Sequence, residues 1–147
     1  MSVGSTDFRM QHFTIRELME RIGSNQLIYS RINGREWSSI EQIYFIESIF
    51  CGIPIASIYM NGSQPQWTVL DGVERLYAIK RYVDGNLLLE NLDLLPKYEG
   101  YFFELPQQIR RRFLNTSVWG YVLTTELPRT TLKSIYKRLN KIDIIYD

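Results

Sequence analysis

Apolar side chains at Ile15, Leu18, Met19 and Ile22 repeat at three-and-four spacing, which predicts an amphipathic helix from His12 to Ile22. Thr14 stands as its N-cap, Glu17 falls where a side chain reaches back to close a capping box, and Gly23 stops it. Gln26 to Ser30 reads as a short extended run, and Arg31 to Arg35 as a polar loop turned by Asn33-Gly34. A second capping-box spacing, Ser38 with Glu41, opens a helix that carries Ile40, Ile43, Ile46, Ile49 and Phe50 until Gly52 ends it. Ala56 to Met60 reads as a buried strand, Asn61-Gly62-Ser63 as a turn, and Trp67 to Leu70 as the partner strand. Asp71-Gly72 then leads directly into a helix bearing Val73, Leu76, Tyr77, Ile79 and Val83, closed by Asp84-Gly85-Asn86.

The rest of the chain alternates faster. Leu87 to Tyr98 reads as an irregular layer over the core and Tyr101 to Phe103 as a short strand. A helix opening at Glu104-Leu105-Pro106 runs to Leu114, a strand covers Val118 to Thr124, and Thr130 caps a last helix with Leu132, Ile135, Tyr136 and Leu139 on its apolar face. Helices scattered among few short strands predict an α+β domain, a small mixed sheet surrounded by helices, and not an alternating parallel sheet. Residues 1–10 are expected to be a flexible N-terminus and residues 11–147 a single domain.

Composition narrows the chemistry. A chain of 147 residues that is 45% hydrophobic can bury a core, and no apolar run reaches the length of a membrane span. Met1 to Gln11 lacks the apolar stretch of a secretory signal, so a cytoplasmic protein is expected. With Cys51 the sole cysteine and His12 the sole histidine, an internal disulfide, a cysteine-ligated zinc and imidazole triads are disfavoured. Cys51 is expected to be a small buried hydrophobe, and Trp37, Trp67 and Trp119 to serve the core. Charge is uneven: eight basic residues between Gln107 and Lys141 face Glu126 alone, so a chain of net charge +1 has a basic C-terminal third. Such a stretch is either a solvated helix face or the footprint of a phosphate-binding surface.

The junction Val69 to Leu76 concentrates candidate chemistry. Gly72 at a helix start permits close approach of a ligand to backbone N–H groups, and Arg75 in the first turn has the fork that pairs with phosphate. Asp71 and Glu74 offer hard oxygens for Mg²⁺. The same residues also suit ordinary capping, with Asp71 as N-cap and Glu74 in the first turn.

Three separated motifs in order carry a resemblance across Gln11 to Asn140: Arg31, Trp37 and Gln42 with Phe45 to Ile55; Val69-Leu70-Asp71-Gly72-Val73-Glu74-Arg75-Leu76; and Tyr136-Lys137-Arg138-Leu139-Asn140. Together they resemble the N-terminal domain of GmrSD-type modification-dependent restriction proteins, of the ParB/sulfiredoxin-like superfamily. In that family the central motif reads Asp-Gly-Gln-Gln-Arg; Asp71, Gly72 and Arg75 match it, while Val73 and Glu74 replace the glutamines. Glu74-Arg75 resembles the Glu-Arg pair of the related ParB motif.

The resemblance implies a nucleotide-binding domain in a DNA-processing or phage-defence system, taking a nucleoside triphosphate with Mg²⁺. In that reading Asp71, Glu74 and Arg75 are catalytic, Asp71 and Glu74 hold the metal, and Arg31, Gly72, Arg75, Arg138 and Asn140 bind the nucleotide. Val73 sets hydrolysis in doubt, so binding without turnover is retained beside a triphosphatase. Arg138 reads equally as a surface charge and Asn140 as a C-cap. No nuclease motif is present, and a nuclease domain or partner protein is the expected companion. Two further readings stay open: a non-catalytic module that binds DNA through Arg110, Arg111, Arg112, Lys133 and Lys137, and a degenerate scaffold that binds a protein partner or forms a homo-oligomer.

Overall fold

The computed structural model describes residues 7–32 and 34–141. A five-stranded mixed sheet runs through it in the order β1-β5-β3-β4-β2, comprising β1 (Phe8–Thr14), β2 (Leu27–Ile28), β3 (Ile58–Asn61), β4 (Trp67–Asp71) and β5 (Ser117–Leu123). β1 pairs antiparallel with β5, β5 parallel with β3, β3 antiparallel with β4, and β4 parallel with β2. Five helices accompany it: α1 (Ile15–Gly23), α2 (Ser39–Phe50), α3 (Val73–Val83), α4 (Gln107–Leu114) and α5 (Arg129–Asn140). The coarse expectation of a mixed sheet surrounded by helices therefore holds.

Local signals placed several helix ends where the sequence puts them. Thr14 and Glu17 form a reciprocal capping box at α1, and Ser38 and Glu41 do the same at α2. α2 ends at Cys51, after which Gly52 takes a left-handed φ of 82°.

Other expectations are corrected. Residues 8–10, expected to be flexible, and His12 and Phe13, expected to be helical, lie in β1, whose ladder with β5 runs from Phe8↔Leu123 to Thr14↔Ser117. Residues Phe102–Glu104 form a 3-10 turn in place of the expected strand. The N-cap of α5 is Pro128 without a side-chain bond, not Thr130, and that of α3 is Gly72, not Asp71. Asn33 lies outside the described residues, while Arg35 N–H donates to the Ile32 carbonyl at 3.0 Å across that turn.

The core gathers Phe13, Ile58, Met60, Val118 and Val122 from the strands with Leu18, Ile46, Leu76, Ile79 and Tyr82 from the helices. Burying each such side chain contributes about 1.5–3 kcal/mol. Packing across the sheet is close enough that a Cβ on Gly120 would stand 2.7 Å from Met60 Cε and 2.8 Å from Phe13 Cε2. Two expectations about burial fail: Cys51 is exposed, and Trp119 keeps 47% of its surface in solvent. Trp119 packs edge-on against His12 across the β1–β5 ladder, and His12 Nε2 in turn bonds Ser117 Oγ at 2.9 Å.

The sheet also prepares the β4–α3 junction. The β3–β4 register shifts between Tyr59↔Asp71 and Met60↔Val69, which leaves Leu70 as an extra residue on β4. A bulge of this kind bends its strand and re-aims the next side chain. Asp71 is that side chain, and the carbonyl of Leu70 accepts the Asn140 side-chain N–H at 2.6 Å. Asn140 Nδ2 also donates to Tyr136 O at 2.8 Å, so the last turn of α5 is fastened to β4.

Candidate functional site

The β4–α3 junction opens into a polar pocket of about 290 Å³ lined by Arg35, Asp71, Gly72, Arg75, Asn140 and Lys141, with Trp37 and Glu74 on its wall. Its floor is set by Gly72, which takes φ 109° and starts α3 with no side-chain cap. A Cβ there would collide with Ile58 Cδ1 and come within 3.0 Å of Arg75 Nη2, so only glycine brings the backbone this close. The first turn of α3 thus meets the pocket with uncapped peptide dipoles, an arrangement that favours negative charge.

Arg75 is largely withdrawn from solvent. Its Nη2 donates to Ser57 O at 3.2 Å and to Asp71 Oδ2 at 3.3 Å. Burial pulls the guanidinium pKa down, while Asp71 opposes that shift. Even lowered, a guanidinium remains protonated in a protein. Two more cations reach the lining from separate elements: Arg35 from the loop before α2, and Lys141 just beyond α5. Neither forms an ion pair among the described residues, although Arg35 Nη1 donates to Asn140 O at 3.4 Å.

Glu74 and Arg31 take up one another. Arg31 Nε donates to Glu74 Oε2 at 2.9 Å and Nη2 to Oε1 at 2.6 Å, and the Trp37 backbone N–H donates to Oε1 at 2.7 Å. Burial alone would raise the Glu74 pKa; the Arg31 and Trp37 bonds outweigh it and hold the carboxyl below its ordinary value. Arg31 is raised, chiefly by its bond to Glu74, and its guanidinium lies 3.9 Å over the Tyr77 ring.

Of the sequence-derived candidates, Asp71, Gly72, Glu74, Arg75 and Asn140 come together at the pocket, whereas Arg31 stands outside its lining and Arg138 is exposed, its Nε donating to Ser134 Oγ at 3.4 Å. Asn140 serves both α5 and β4, donating through Nδ2 to each. Arg35 and Lys141 were overlooked as site residues; the signal for Arg35 was its place on the same loop as Arg31, and for Lys141 its place next to Asn140.

The Mg²⁺-triphosphate expectation is corrected. Among the described residues no group of three or more His, Cys, Asp or Glu side chains is placed to hold a metal ion. Asp71 and Glu74 do not make up a ligand set: the oxygens of Glu74 are bound to Arg31 and Trp37, and Asp71 is paired with Arg75. Neither the metal nor the metal-borne triphosphate is retained.

The DNA-contact expectation has a mixed geometry. Arg110 Nη1 donates to Phe103 O and Leu105 O, which commits it to holding the preceding turn. Arg112 borders a groove with Trp119, and Lys133 borders another with Tyr136 beside β4.

No helix among the described residues is long and apolar enough to cross a membrane. Compared with family models, curated proteins and solved structures, the chain finds no match in any of the three. The attributes that came with the resemblance are corrected accordingly: ParB/sulfiredoxin-like and GmrSD-like character, nucleotide binding, NTP hydrolysis, restriction and phage defence draw no support from known proteins and are withdrawn, as are DNA binding, expected from the basic C-terminal third, and the cytoplasmic address, expected from the N-terminal composition.

Proposed function

We propose that the domain is a non-hydrolytic binding module that takes a small oxyanion-bearing ligand, one with a phosphate or carboxylate group, in the pocket at the β4–α3 junction and without a metal ion. The observation that carries this reading is the convergence of Arg35, Arg75 and Lys141, from three separate parts of the chain, on the uncapped N-terminus of α3 at Gly72. Arg31 neutralises Glu74 and Asp71 offsets Arg75, so the lining is left with the positive charge of Arg35 and Lys141. Cations and peptide N–H groups on opposite sides of an oxyanion bind it by charge-assisted hydrogen bonds. Both Glu74 oxygens are taken up by Arg31 and Trp37, and Asp71 Oδ2 is paired with Arg75, so the reading is confined to binding.

Calorimetric titration of the full chain with inorganic phosphate, pyrophosphate, citrate and succinate, in the presence of a chelator, tests it. Binding of at least one of these anions, weakened tenfold or more in Arg35→Ala and in Lys141→Ala with folding unchanged, is the expected result. Absence of binding by all four, or binding indifferent to both substitutions, overturns it.

A further inference from the structure

A second, apolar region adjoins the polar pocket and shares only Trp37 and Arg75 with its lining. Along α2 and the segment after it, Ile40 is 79% exposed, Tyr44 69% and Ile53 54%, and across the next groove Trp119 is 47% exposed. A run of large exposed apolar side chains is unusual on a protein surface and marks an association site. Two grooves divide this region. One, of about 550 Å³, lies among Trp37, Ile40, Glu41, Tyr44 and Ile53; the other, of about 390 Å³, lies among Ile53, Tyr98, Arg112 and Trp119. They share Ile49, Ile53, Pro54 and Ile55, so these four residues are the middle of one continuous strip.

The strip is polarised in charge. Glu41 is exposed at the Ile40 end, and Arg112 is exposed at the Trp119 end. Arg75 also lines the first groove but is mostly buried and paired with Asp71, so the exposed charges are a carboxylate at one end and a guanidinium at the other, a surface complementary to itself after a half turn about its middle. A two-fold interface requires this: whatever residue i meets on the partner, the partner's i meets in return.

We infer that this strip is the interface of a homodimer in which a second copy of the chain is related by a two-fold axis passing near Ile53 and Pro54. Ile40 of each copy packs toward the other copy's Trp119, the two Ile53 side chains meet near the axis, and each Glu41 faces an Arg112 across the interface.

Sedimentation velocity of the full chain from about 1 to about 200 µM, the range over which a modest interface is populated, reads the association directly. The wild type is expected to shift from one to two chains per particle across this range. Ile40→Asp and Ile53→Asp each weaken the dimer by about thirtyfold or more, as loss of a buried anchor does. Ile40→Asp is the cleaner variant because an acidic residue in the first turn of α2 suits the helix dipole and leaves the fold intact, as a thermal unfolding curve matching the wild type at about 1 µM, where both are monomeric, verifies.

The register is tested separately. Glu41→Gln, which keeps an acceptor for the capping box, and Arg112→Gln each weaken association by about two- to fivefold, and the double variant weakens it no further than either alone. A wild type that stays monomeric throughout overturns the inference. So does a dimer that persists in both Asp variants, and additive effects of Glu41→Gln and Arg112→Gln overturn the two-fold register.

Discussion

Arg31 meets Glu74 side-on, fork to carboxylate, with Nε 2.9 Å from Oε2 and Nη2 2.6 Å from Oε1, across 43 residues of sequence. The pair is only 25% and 13% exposed, and it rests on the Tyr77 ring. Two residues that as isolated letters look like ligand contacts therefore fasten the 31–37 loop to α3, with the Trp37 N–H as a third clasp. That loop carries Arg35 into the pocket, so the pair positions the site from behind.

Removing one partner leaves the other charge half-buried without its counterpart. Arg31→Ala is expected to cost about 2–3 kcal/mol, and Arg31→Lys to recover little, because an ammonium cannot reproduce the two parallel bonds. Urea unfolding of Arg31→Ala, Glu74→Ala and the double variant checks this: a coupling of about 1 kcal/mol or more is expected between residues in direct contact. Additive losses would mean that the pair does not act as a unit.

Glu47 gives the acid limb of stability. It is a buried carboxylate on α2 that accepts the backbone N–H groups of Asp93 at 3.2 Å, Leu94 at 2.7 Å and Leu95 at 2.9 Å, holding the irregular 91–95 segment against the helix. Burial alone would raise its pKa, but these three bonds reverse the shift, so the folded chain holds the carboxyl below its ordinary value. Glu74 is lowered as well. A lowered folded pKa means that the unfolded chain takes up the proton first. The stability from both groups is thus fully present above the unfolded value of about 4.3 and is lost as pH falls through the lower folded values. Urea midpoints measured from neutral pH down to about 2.5 should fall through the acid range. Glu47→Gln should cost about 2 kcal/mol at neutral pH, since its amide presents donors to donors, and should flatten the acid fall.

What the sequence reveals here is what is local. Thr14 with Glu17 and Ser38 with Glu41 are three residues apart, and both boxes form as their spacing implies. β1 was not legible because its ladder partner among the described residues is β5, over a hundred residues away, and only Phe13 along it is buried. The polar pocket was half legible: Asp71 to Arg75 are contiguous, but Arg35 and Lys141 arrive through tertiary folding. The roles of Arg31 and Glu74 were unreadable because a guanidinium and a carboxylate look the same in sequence whether they face a ligand or each other. Cys51 and Trp119 misled for a related reason, since apolar character says that a side chain will be covered but not that this chain covers it.

Asn140 tests how α5 is held. No residue of α5 is buried, and the Asn140 side chain ties its last turn to the Leu70 carbonyl at the β4 bulge. Asn140→Ala is expected to cost about 1–2 kcal/mol and to raise hydrogen exchange in α5 well before the rest of the chain responds. Equal protection of α5 in both proteins would show that apolar packing alone holds the helix.

Gly72 tests the floor of the pocket. Any side chain there meets Ile58 and Arg75 and must adopt φ 109°. Gly72→Ala is expected to destabilise by about 2–3 kcal/mol, combining backbone strain with displacement of a packed side chain. A thermal midpoint within a degree or two of the wild type would show that β4 and α3 can separate without cost.

Tyr82 runs the other way. It is fully buried on α3 among Phe50, Phe102 and Phe113, with edge-on ring contacts of 5.2 to 6.1 Å. Its hydroxyl has no hydrogen-bond partner among the described residues, and burial pushes its pKa far above that of an ordinary tyrosine. An unpaired hydroxyl in an apolar site costs about 1–3 kcal/mol of desolvation, and phenylalanine removes the hydroxyl while keeping the ring. Tyr82→Phe is therefore expected to stabilise the fold by about 1 kcal/mol, raising the thermal midpoint by several degrees for a chain of this size. A loss of stability would show that the hydroxyl finds a partner, such as a buried water, and that this aromatic cluster is wetter than its lining suggests.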